Sequence, residues 1–102
     1  MIDSAGTAIV VCGDNKKQDN RGLLVADTSA AIQNMLLAAH GLGLGAVWCG
    51  IYDIKDYVLN LSSLLNLPEH ILPVGIVVVG NKIKDRSIQD RYDKNKIHYD
   101  SW

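Results

Sequence analysis

Apolar and polar positions fall in blocks along this chain, and the blocks predict an ordered set of elements. Thr7 to Cys12 is a short β-branched run closed by Gly13-Asp14, the pattern of a buried strand. Asn15 to Arg21 is polar without periodicity and predicts a loop. Asp27 or Thr28 offers a side-chain oxygen to cap a helix that runs to about Leu42. Gly41, Gly43 and Gly45 close it, because glycine tolerates a left-handed helix end. Ala46 to Ile51 is a short apolar strand. Asp53 is positioned to cap a second helix, in which Ile54, Tyr57, Val58, Leu61, Leu64 and Leu65 share one face. Asn66-Leu67-Pro68 stops it. Leu72 to Gly80 is apolar without alternation, so both faces of that strand are expected to be covered. From Asn81 onward the chain is polar and charged. This order of elements predicts a layered α/β or α+β fold.

Composition narrows the class. The chain has 102 residues, 48% of them hydrophobic, which suits one small folded domain. The formal net charge is -1, so no polyanion-binding surface and no nucleic-acid partner are expected. No apolar stretch approaches the roughly 20 residues that span a bilayer, and no basic-then-apolar leader is expected. Cys12 and Cys49 are too far apart in sequence to suggest a disulfide framework or a metal motif, which points to a reducing, cytoplasmic setting. Ala30, Ala31, Ile32, Met35, Leu36, Leu37, Ala38 and Ala39 make the long helix apolar almost all round. Such a helix is buried on more than one side, which argues for a partner subunit or for further parts of the fold.

Side-chain chemistry is sparse. His40, His70 and His98 are isolated from one another, so no metal site is expected. No Ser/His/Asp order and no phosphate-cradling glycine loop with a following lysine is present. Gly41, Gly43 and Gly45 follow a helix instead of opening one, which disfavours a dinucleotide loop. Cys49 has no basic sequence neighbour to activate its thiol, and Cys12 reads as a small core residue. Gly50 marks either a bulge or a place where something approaches the backbone closely. No side chain is expected to act as a catalytic acid, base or nucleophile.

Five pieces, taken in order, resemble the nitroreductase family. They are Ala8 to Asp14, Asp27 to Tyr52, Leu64 to Ile71, Val77 to Gly80, and Arg91-Tyr92-Asp93 through Ile97-His98-Tyr99 to Trp102. None is unique alone; the order and spacing are specific. The resemblance implies a nitroreductase-like α+β fold with a central sheet and a long buried helix in a dimer core. It implies FMN as cofactor and NAD(P)H as electron donor. The implied cofactor-binding positions are Trp48, Cys49, Gly50 and Arg91, with backbone amides at Cys49 and Gly50 against the flavin ring and Arg91 on the FMN phosphate. Arginine suits phosphate because its planar fork donates two hydrogen bonds at once. Arg86 and Lys84 are weaker candidates for the same role. Residues 81–102 are expected to extend over a partner subunit, with Tyr99 and Trp102 as anchors there or as cover for the chain's own core.

The family's Arg-Arg-Ser-x-Arg and Pro-Ser-x-x-Asn-x-Gln-Pro-Trp segments have no counterpart here, so a single partial domain truncated at its N-terminus is expected. Asp53, Asn81 and Lys82 also stand where relatives carry prolines or a Tyr-Pro pair. Two readings follow. One is an FMN-dependent oxidoreductase passing electrons from NAD(P)H to nitroaromatic, quinone or similar acceptors. The other is a non-catalytic fragment that dimerises and binds flavin weakly or only with a partner chain.

Overall fold

The computed structural model describes residues 6–85 and 87–102. Three strands form one antiparallel sheet in the order β1-β3-β2: β1 (Thr7–Asp14), β2 (Leu44–Gly50) and β3 (Ile71–Asn81). The helices α1 (Arg21–Gly41) and α2 (Lys55–Leu64) follow the first and second strands, and a single 3-10 turn, Lys94–Lys96, lies in the tail. The architecture is α+β.

β3 takes the centre because its apolar run tolerates cover on both sides. Leu72 through Val78 are all buried. On one face Val11, Leu72, Val74 and Val77 pack with Leu24 and Ile32 of α1. On the other, Ile76 and Val78 pack with Ile51, Val10, Cys49, and Val58 and Leu61 of α2. Ile32 has no exposed surface at all, a burial that contributes about 1.5–3 kcal/mol.

The pairing of β1 with β3 slips by one residue between Val11 and Cys12, so Val74 is an extra residue on β3. Pro73, which has no N–H to give to a ladder, lies at this bulge. The Val74 carbonyl accepts from both Ile51 N–H and Tyr52 N–H at 3.1 Å each. That pair of hydrogen bonds pins the chain leaving β2 against the central strand.

Several expectations need correction. α1 begins at Arg21, six residues before Asp27, and its cap is Asn20, whose side chain accepts from Leu23 N–H at 3.1 Å. Asp27 and Thr28 lie inside the helix. Thr28 is buried and spends its hydroxyl on the Leu24 carbonyl at 2.7 Å. With its true start, α1 has 21 residues and is long and apolar enough to cross a membrane by length and composition. The expectation that no stretch was long enough rested on the late start. In this fold α1 lies on the sheet through Leu24, Thr28, Ile32 and Ala39. Within this chain only that one face is buried, and Leu23 and Leu37 are exposed.

Asp53 does not cap α2; Ile54 holds the cap position without a side-chain bond. β1 is an edge strand, with Thr7, Ala8 and Ile9 exposed and only Val11 and Gly13 buried. Of Gly41, Gly43 and Gly45, Gly43 alone uses a positive φ, at 75°. Beyond β3 the tail carries Ile83, Ile88, Tyr92, Tyr99 and Trp102 fully or largely in solvent. The radius of gyration is accordingly 16.6 Å, against about 13 Å for a compact chain of this length.

Candidate functional site

The end of β2 is the place where backbone, instead of side chain, is on offer. Trp48 pairs with Val77, Cys49 with Ile76 and Gly50 with Gly75. In an antiparallel ladder the residues alternate between exchanging bonds with the neighbour and facing away. Ile51 N–H donates to Val74, so the groups of Cys49, two residues earlier, also face β3. Those of Trp48 and Gly50 face the open edge, because among the described residues β2 has a neighbouring strand on one side only. Of the two amides singled out by the sequence, the Gly50 N–H is therefore the one directed away from the sheet.

Gly50 is also bare above its plane. A Cβ placed there would meet nothing within 4 Å. Its counterpart Gly75 is crowded. A Cβ there would come to 2.9 Å from Ile32 Cδ1 and 3.0 Å from Trp48 Cδ1, and closer still to Trp48 Nε1. The Trp48 indole thus leaves its own row, lies across Gly75, and keeps clear of Gly50. It remains 37% exposed. Cys49 turns the opposite way, half-buried against Ile51, Ile76 and Val78.

Trp48, Cys49 and Gly50 are contiguous, but Arg91 is not brought to them. It is exposed in the tail and lines an open concavity of about 800 Å³ with Lys84, Asp85, Ser87 and Gln89. Lys82 forms an ion pair with Asp85, and that lysine holds the Asp85 carboxyl below its usual range. Arg86 lies outside the described residues. His40 is exposed at the end of α1, and His98 stacks on Trp102 with ring centres 4.2 Å apart. Burial pushes the Cys12 thiol up from its ordinary value, which makes it a poorer nucleophile. Among the described residues no group of three His, Cys, Asp or Glu side chains could hold a metal ion.

Sequence reasoning missed Gly75 and Val74. The available signal was a glycine two residues after a proline inside the strongest apolar run, Leu-Pro-Val-Gly-Ile.

The family model described as "Nitroreductase family" matches residues 1–81. The chain belongs to the nitroreductase family. A protein of Methanothermobacter thermautotrophicus, provisionally named an NADH dehydrogenase/NAD(P)H nitroreductase, is 40% identical over all of this chain, which spans 53% of that protein. A crystal structure from Parabacteroides distasonis with the same provisional name superposes with a TM-score of 0.89 at 40% identity. It is covered over 96% of this chain and 57% of its own. The "FMN-dependent Nitroreductase" of Clostridium difficile R20291 gives 0.85 at 25% identity, over 96% of this chain and 59% of its own. The nitroreductase fold is thus shared, and this chain spans about half the length of the relatives it matches. It corresponds to their C-terminal portion.

FMN is the cofactor this fold family implies, and the β2 end fits a planar ring. Gly50 presents an amide at the open edge and has free space where any other residue would place a side chain. The phosphate end is fitted less fully, since Arg91 stands apart from that edge.

Proposed function

We propose that this chain supplies one wall of the FMN site of a nitroreductase-family NAD(P)H oxidoreductase. The open Gly50 backbone carries the reading. An amide held rigidly by the β2–β3 pairing and by the Val74 clamp donates to an electron-rich ring edge without reorganising. The Trp48 indole flanks that space as an apolar wall. Arg91, on the tail after β3, is the phosphate partner in this reading. When bound, FMN supplies the hydride and electron chemistry between NAD(P)H and a nitroaromatic, quinone or similar acceptor. The chain contributes orientation and polarity and no acid, base or nucleophile.

A homodimer is part of the proposal. α1 leaves Leu23 and Leu37 bare, and α2 leaves Tyr57, Leu59 and Leu64 bare, more apolar surface than a small monomer carries comfortably. A second reading is favoured by length. The chain spans 53% of its Methanothermobacter relative, so full flavin affinity can require polypeptide beyond these residues.

The test is a visible spectrum of the purified protein after FMN addition and desalting. Flavin bands near about 370 and 450 nm retained at one FMN per chain support the first reading, since that absorption belongs to the cofactor. Complete loss of the bands overturns it for this chain and leaves the second.

A further inference from the structure

We propose that Gly75 is a positioning residue for the ring site: by lacking a side chain it parks the Trp48 indole across β3 and so keeps the Gly50 backbone uncovered. The functional half of this inference rests on the FMN reading above; the placement of the indole does not.

The argument begins with which group yields. Trp48 projects on the α1 face of the sheet, in the row of Val77, and Gly50 and Gly75 form the next row on that face. An indole from Trp48 has two places to lie in that row, over Gly75 or over Gly50. It lies over Gly75, where Ile32 closes the far side. A methyl group at Gly75 would overlap both Trp48 and Ile32. Ile32 is 0% exposed and hemmed in by the core, so it has nowhere to go. Trp48 is partly exposed, and the place beside Gly75 in the next row, above Gly50, is open, with nothing within 4 Å of a Cβ there. The displaced indole therefore covers Gly50. Two glycines facing one another across a strand pair then have different tasks: one is the bare surface, and the other provides the space that keeps it bare.

The experiment uses the full chain in a Trp102→Phe background, so that Trp48 is the single tryptophan. Gly75→Ala is compared with the parent by acrylamide quenching without flavin and by FMN titration. The expected results are a clearly altered quenching constant and FMN affinity weaker by about tenfold or more, the scale of an overpacked site. Trp48→Ala/Gly75→Ala should bind FMN no more weakly than Trp48→Ala alone, because no indole remains to be displaced. Ile32→Val/Gly75→Ala, which relieves only the core contact, should not regain the parent's affinity. Circular dichroism on each variant identifies any that fail to fold, and the double variants decide the matter if Gly75→Ala alone does. Unchanged quenching overturns the proposal, as does altered quenching with unchanged FMN affinity, a further loss of affinity from Gly75→Ala in the Trp48→Ala background, or recovery of the parent's affinity by Ile32→Val. If the parent itself takes up no FMN, the FMN reading fails, and quenching alone decides where Gly75 sends the indole.

Discussion

Gly50 stands directly opposite Gly75 across the β2–β3 pair, yet one is open above its plane and the other is roofed by Trp48 and Ile32. The difference comes from a single side chain leaning across the strands. It separates stability from binding at this position, because the open glycine supports nothing in its own chain.

Gly50→Val is expected to fold as well as the parent or slightly better. A β-branched residue suits a strand, and replacing a glycine at a strand end is worth at most about 0.5–1 kcal/mol, the mid-strand value. The same side chain fills the space above the ring site, so retained FMN after desalting should fall to background. Urea melts and visible spectra on one preparation test both halves; undiminished FMN uptake would count against Gly50 as the ring contact.

Arg91 is assigned to the phosphate alone, which makes its effect ligand-dependent. Arg91→Ala should weaken FMN by about ten- to a hundredfold, the value of a lost charge-assisted hydrogen bond. Riboflavin, which lacks the phosphate, should bind both proteins equally. Paired titrations check this, and an equal loss for the two ligands would place Arg91 elsewhere.

Asn20 and Asp27 carry similar side chains in different settings. Asn20→Ala removes the oxygen that accepts from Leu23 N–H and should cost about 1 kcal/mol. Asp27→Ala, inside α1, should change stability by less than about 0.5 kcal/mol. Chemical denaturation of both variants distinguishes a helix starting at Arg21 from one starting near Asp27.

Cys12 gives the alkaline limb of stability a slope. Burial raises its folded pKa, so the unfolded chain ionises first as pH rises. The contribution is fully present below the ordinary thiol value of about 8.5 and is lost as pH climbs through the folded value. Thermal melts over that range should show the parent losing more stability than Cys12→Ala. Parallel curves would remove Cys12 from the account.

The central strand and the position of the second helix were legible because an unbroken apolar run and a clean helical spacing each admit one interpretation. The start of α1 was not. Asn20 sits in a polar stretch where a cap looks like any loop residue, while Thr28 has a cap-type oxygen that it spends inside the helix on Leu24. Gly50 was legible as a position of close approach, though whether its amide or that of Cys49 turns outward needed the pairing register. The role of Gly75 depends on where an indole from another strand comes to rest, which no local pattern encodes. Arg91 was reached only through the family resemblance, and its distance from the strand end follows from a tail that leaves the sheet.

The extra residue at Val74 has a consequence for the whole sheet. Side chains along β3 do not form one alternating series but two, out of step by one: Leu72 and Val74 share a face with Val77. The bulge acts as a change of phase between the stretch that meets the start of α1 and the stretch that pairs with the end of β2. Deleting Val74 would merge the two series and leave the strand a choice between its packing and its partners. The alignment of Gly75 with Gly50 belongs to the unshifted β2–β3 register, and the extra residue lets the β1 side of the same strand keep its own packing beside it.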